Sequence, residues 1–137
     1  NNDYDLFLEM RTLAKLASFR ETRPSALSAR EVLEMATAGG ARALGLEHEI
    51  GEIAVGRKAD LILLDQSEIG WAPTPTNSPF TALVYSVNGL HVTDSMVDGR
   101  WLLRKRALTT VNYPRARAQQ AEDVRRLLER RQAQLPA

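Results

Sequence analysis

The stretch Ala59-Asp60-Leu61-Ile62-Leu63-Leu64-Asp65 decides the fold class of this 137-residue chain. Four apolar residues in a row between aspartates, entered from Gly56-Arg57-Lys58, are too few for a helix and read as a strand buried on both faces. Upstream, Ile50, Ile53 and Val55 are separated by Gly51, Glu52 and Ala54 and leave helical spacing, so strand character is expected over residues 50–65. Downstream, Pro73, Pro75 and Pro79 make residues 66–79 an extended loop. Beyond it, His91 to Val97, then Asp98-Gly99, then Arg100 to Leu103 read as a hairpin, because a two-residue turn needs positive φ at both positions and Asp-Gly supplies it.

Helices flank this β region on both sides. Residues 3–20 place Leu6, Met10, Leu13, Leu16 and Ala17 at three- and four-residue steps, with Asp3 or Asp5 as cap and Pro24 as the limit. Ser28 and Glu31 have capping-box spacing ahead of Val32, Leu33, Met35 and Ala36. Gly39-Gly40 then predict a stop or tight bend, followed by a short helical piece from Ala41 to Leu44 that Gly45 ends. Ser78-Pro79 starts a helix over Phe80–Val87, with the serine as cap. Tyr113-Pro114 opens a last helix to about Arg131, with Ala121, Val124, Leu127 and Leu128 on one side and arginines elsewhere.

Composition narrows the class. At 44% apolar and 26% charged residues the chain reads as globular, and the absence of cysteine excludes a disulfide framework and thiolate chemistry. It is too short for a complete (β/α)8 barrel, which needs about 250 residues. No apolar run is long enough to span a membrane, and the start Asn1-Asn2-Asp3-Tyr4-Asp5 has no basic or apolar leader, so a cytoplasmic, membrane-free chain is expected. The net charge of +1 hides a split: residues 1–99 carry 8 basic and 14 acidic side chains, whereas residues 100–137 carry 10 and 3. The basic tail is either an arm for nucleic acid or another acidic partner, or a solvated face beside an acidic body.

Few residues offer chemistry. His48 and His91 lie far apart in sequence, and neither has a partner at metal-ligand spacing. Gly39-Gly40 lacks the preceding strand and the Lys-Ser/Thr of a phosphate loop. Asp60 and Asp65 could do paired acid–base work, yet as brackets of one strand they are expected to bond turn amides. Arg104-Lys105-Arg106 is the densest basic run, with no base-reading residues interleaved. The residues by themselves give a fold and no catalytic constellation.

The ordered motifs nevertheless resemble a known family. Asn1 to Arg11, Ala29 to Gly45, Ile50 to Leu61 and Val97-Asp98-Gly99-Arg100 are together similar to the C-terminal part of the amidohydrolase superfamily, in its chlorohydrolase and methylthioadenosine/S-adenosylhomocysteine deaminase branch. The resemblance implies a mixed α/β architecture. Residues 1–49 would be the last helices of a metal-dependent-hydrolase TIM barrel, residues 50–112 part of a composite β-sandwich with strands at 50–65 and 91–110, and residues 113–137 a basic C-terminal helix.

It further implies a parent enzyme in which a divalent metal, zinc or iron, activates water to displace ammonia or chloride from a nitrogen heterocycle. Every metal ligand would precede residue 1, so the segment itself is expected to carry no catalytic residue and no metal ligand and to be inactive alone. Asn1 and Asn2 would lie in the loop after the last barrel strand, as substrate-loop candidates. The implied partners are the N-terminal barrel part of the same protein, a small heterocyclic substrate and, because a barrel helix without its strands exposes apolar surface, a further copy in a homo-oligomer. Two other readings stand beside this one: a truncated interaction domain that assembles with a partner, and, as the minor reading, a nucleic-acid module using the basic tail.

Overall fold

A computed structural model describes residues 4–67 and 78–133. Helix α1 (Leu6–Arg20) begins at Asp5, whose Oδ1 accepts from the Phe7 amide at 2.9 Å and the Leu8 amide at 3.4 Å. These are two of the donors that a helix start leaves without an internal partner. Helix α2 (Ala29–Glu34) carries the expected capping box: the Glu31 amide donates to Ser28 Oγ and the Ser28 amide to Glu31 Oε2. Helix α4 (Pro79–Tyr85) starts with proline at its first position, which needs no donor there, but the Ser78 side chain makes no cap bond, contrary to expectation.

The core lies where these three helices meet. Met10 and Ala14 of α1, Val32 of α2 and Val84 of α4 are buried together, with Phe7, Leu27 and Leu33 packed around them. The sequence pattern put Leu6, Leu13 and Leu16 on the buried side of α1. They are instead 54%, 40% and 61% exposed, because the face that packs is the Met10–Ala14 edge, where the small Ala14 lets its neighbours approach. The helix therefore has two apolar sides, of which the described residues cover one. Arg11 adds a polar tie, donating from Nη2 to the Val87 carbonyl at 2.7 Å and from Nε to the Val84 carbonyl at 3.5 Å. A cation there satisfies carbonyls at and just beyond the C-terminal end of α4.

Gly39-Gly40 does not stop the helix. The chain continues from α2 through a π turn (Met35–Gly39) into α3 (Gly40–Ala43). The widened turn makes a close approach at Gly39, where a Cβ would lie 3.1 Å from the Glu34 carbonyl oxygen. The glycine is thus used for close approach inside a helix rather than for breaking it. The stop comes at Gly45, with φ +70°, as the Leu46 amide donates to the Ala41 carbonyl and the Gly45 amide to that of Arg42. This is a Schellman ending.

Strands β1 (Leu61–Leu64), β2 (Val92–Val97), β3 (Arg100–Arg104) and β4 (Ala107–Leu108) form an antiparallel sheet in sequence order. Leu61 faces Met96 and Val97 faces Arg100. Two expectations fail at β1. Residues 50–60 form turns and bends, with the Lys58 amide closing the loop onto the Glu49 carbonyl at 2.8 Å, so no strand forms before Leu61. Nor do the described residues bury β1 on both faces: among them it lies at the edge of the sheet, and Ile62 and Leu63 are about half exposed. The Asp98-Gly99 hairpin holds as expected, with φ of 49° and 75°.

Helix α5 (Tyr113–Ala133) follows the predicted span, and Asn112 Oδ1 caps it by accepting from the Arg115 amide at 3.1 Å. Nearly every described side chain of α5 is exposed, including Val124, Leu127 and Leu128. Along it Glu122 pairs with Arg125 and Arg126. Among the described residues no helix is long and apolar enough to cross a membrane.

Candidate functional site

The N-terminal end of α1 is where the described chain gathers a concavity and converging polar groups. A cavity of about 420 Å³ opens there, walled mainly by Phe7, Met10, Leu33, Ile62 and Val92, with Asp5 and Thr37 as its polar members. Helix α1, the π turn and the sheet each supply part of the wall, so the cavity records where helices and sheet diverge. Asp5 does more than cap. Its Oδ2 accepts from the Gly89 amide at 3.2 Å, joining the start of α1 to the 3-10 turn Gly89–His91. That turn is capped by Asn88, whose Oδ1 accepts from the Leu90 amide at 3.0 Å.

The two histidines are not brought together. His91 is buried in the 3-10 turn, its Nδ1 3.2 Å from the Asn88 amide nitrogen. His48 stands exposed in the loop after α3, with Glu47 Oε1 3.8 Å from its Nε2. Among the described residues no three His, Asp or Glu side chains gather as a metal site, so these residues do not fit a divalent ion. No chemical step is assigned to a metal on this segment.

Asp60 and Asp65 sit at opposite ends of β1, roughly 16 Å apart at strand rise, and cannot address one substrate atom. Asp60 Oδ1 accepts from the Asp98 amide at 2.7 Å, inside the hairpin turn. Asp65 Oδ1 accepts from the Ser67 amide and hydroxyl, and Arg106 approaches Oδ2 at 3.4 Å. The Ser67 bonds first, and the Arg106 cation after them, hold the Asp65 carboxyl below its usual range. Both aspartates bond turn amides, as their positions suggested.

The basic run has a structural use that its composition hides. Lys105 and Arg106 form a second two-residue turn, between β3 and β4, with φ of 48° and 63°. The Lys105 amide donates to Asp94 Oδ1 at 3.0 Å and the Arg106 amide to the Thr93 carbonyl at 2.8 Å. Arg106 also donates from Nη1 to the Leu90 carbonyl, while the Arg104 guanidinium lies 5.4 Å from the Trp101 ring centre. The Asp94 carboxyl is lowered, by Thr93 foremost and then by the Lys105 amide and the nearby Arg104 and Lys105 charges. These contacts give the backbone of the triplet a role in the turn, while the Arg104, Lys105 and Arg106 side chains stay exposed.

Asn1 and Asn2 lie outside the described residues. What sequence reasoning missed is the outward bond of Asp5 and the Arg11 tie, whose partners are 84 and 76 residues away. No local pattern carries such pairs.

The chain matches the family model described as "Amidohydrolase family" over residues 1–102. It is 41% identical over 121 residues to a 5'-deoxyadenosine deaminase of Methanobrevibacter smithii, covering 85% of this chain and 28% of that protein. It is 45% identical over 112 residues to a 5-methylthioadenosine/S-adenosylhomocysteine deaminase of Syntrophobacter fumaroxidans, covering 82% and 25%. In structure it resembles an adenosine deaminase of Xanthomonas campestris with bound zinc, with a TM-score of 0.81 and 38% identity over 93% of this chain and 29% of that one. An atrazine chlorohydrolase of Arthrobacter aurescens shares the fold, with a TM-score of 0.71 at 24% identity over 85% of this chain and 25% of that one. The chain thus spans between a quarter and a third of the length of these relatives.

Proposed function

Because the chain belongs to the amidohydrolase family, we propose that it is the C-terminal portion of a metal-dependent hydrolase that cleaves a C–N bond of a nitrogen heterocycle, releasing ammonia from an aminopurine nucleoside. The observation that carries this reading is the 41–45% identity, over more than four fifths of the chain, to curated deaminases of such nucleosides. Dechlorination is the weaker variant, since the chlorohydrolase likeness at 24% identity speaks for the fold alone.

In this proposal residues 1–49 complete a barrel, residues 50–112 contribute to a smaller β domain, and residues 113–137 form an appended helix. The metal is held by residues outside this segment; the zinc bound by the Xanthomonas campestris relative supports a divalent ion. Asn1 and Asn2 face the substrate from the loop that enters α1. The described residues contribute by fixing that entry and by offering the uncovered apolar side of α1 to the rest of the barrel.

The test is ammonia release from 5'-deoxyadenosine and 5'-methylthioadenosine by the longer parent chain and by residues 1–137 separately. The parent is expected to turn over at least one of them and the segment neither. Deamination by the segment at the parent's rate would overturn the division of labour. A folded, metal-loaded parent that deaminates no aminopurine nucleoside would overturn the substrate class.

A further inference from the structure

We infer that Asp5 is a positioning residue for the reaction: by tying α1 to the Asn88–His91 turn, its carboxylate fixes the point at which the substrate-facing segment enters the fold. The inference rests on the function proposed above and extends it to a residue that touches no substrate. A helix cap needs one oxygen, and serine, threonine or asparagine supplies it as well as aspartate does. Here one oxygen does that work, Oδ1 accepting from Phe7 and Leu8, and the other is turned outward to the Gly89 amide at 3.2 Å.

The far end of this bond is itself anchored. Arg106 holds the Leu90 carbonyl, and the Asp65 amide donates to the His91 carbonyl at 2.8 Å, so the turn is fixed to both the β3–β4 turn and the end of β1. A continuous set of hydrogen bonds therefore runs from the sheet through Gly89 to Asp5 and the first turn of α1. The Tyr4 side chain is 96% exposed, so its own packing does not hold the entry. The Asp5 carboxylate thus joins the first turn of α1 to the Gly89 amide at the point where α1 begins. Small displacements of substrate-positioning groups cost a disproportionate share of rate, which makes this lock visible in kinetics.

Two substitutions isolate the lock from the cap. Asp5→Asn keeps an Oδ1 for Phe7 and Leu8 but presents an amide donor to the Gly89 donor. Gly89→Pro deletes that donor. Asn88, at φ −142° and ψ 177°, already has the backbone that a residue before proline adopts, and proline suits the first position of a helical turn. In the parent enzyme each variant is expected to lower kcat roughly tenfold or more, with KM, metal content and thermal midpoint near those of the wild type. The double variant is expected to be no slower than the slower single. Wild-type kcat in both single variants, or effects that multiply, would overturn the inference. If the wild-type parent deaminates nothing, the functional reading falls, and amide hydrogen exchange in the same protein still judges the lock. Gly89 exchange at least about tenfold faster in Asp5→Asn would uphold the bond, and unchanged exchange would overturn it.

Discussion

Replacing Gly51 with alanine should cost far more than the same change at Gly56, although both glycines have φ near +90°. Gly51 has φ +93° and Gly56 φ +86°, a region L residues reach at a penalty of about 1–2 kcal/mol. The surroundings differ. A Cβ on Gly51 would lie 2.8 Å from the Ala41 Cβ, 3.0 Å from the Ala38 Cα and 3.2 Å from the Thr37 carbonyl oxygen, whereas one on Gly56 would meet nothing within 4 Å. The atoms facing Gly51 are backbone or a single methyl, and no side-chain rotation clears them. Overpacking of this kind costs about 1–3 kcal/mol, so Gly51→Ala should lose roughly 2–5 kcal/mol in all. Against a total stability of about 5–15 kcal/mol, that loss would be plain in urea unfolding followed by circular dichroism. Equal losses at the two positions, with unchanged slopes, would refute the close-approach reasoning.

Two further expectations use the same assay. Asp65 has a lowered folded-state pKa, so its contribution is present above the unfolded value near 3.8 and is lost as pH falls through the lowered one. Asp65→Asn should therefore flatten the fall in urea midpoint between about pH 5 and pH 2, and parallel wild-type and variant curves would contradict this. Because α5 is exposed along its length, ending the chain at Asn112 should remove helical ellipticity yet move the unfolding free energy of the remainder by only about 0.5 kcal/mol. A larger fall would mean that α5 packs on the body.

Local chemistry was legible wherever cause and effect lie within a few residues. The Ser28–Glu31 box, the Gly45 ending and the Asp98-Gly99 turn were all readable, because each rule spans one turn of chain. Longer range was not. Gly39-Gly40 looks like a break, and only the tight approach of the Glu34 carbonyl explains why glycine sits inside a continuing helix. The apolar pattern of α1 could not say which of its two apolar sides the described residues cover, since periodicity reports hydrophobicity and not the partner. The turn at Lys105-Arg106 was not legible, because lysine and arginine are poor predictors of positive φ. The chemistry attributed to the parent rests on ordered motifs rather than on any reactive group in the described residues.

The bond from Asp60 to the Asp98 amide has a consequence for error in strand alignment. Leu61-Ile62-Leu63-Leu64 has no polar–apolar alternation, so a slip of one residue along β2 would exchange one greasy surface for another and hydrophobicity would scarcely object. Such a slip would, however, carry Asp60 about 3.3 Å from the amide it serves and pull the Asp65 amide from the His91 carbonyl at the other end. The two polar ends act as stops on a ruler whose one inner mark in this pairing is the shift in register between Leu63 and Leu64.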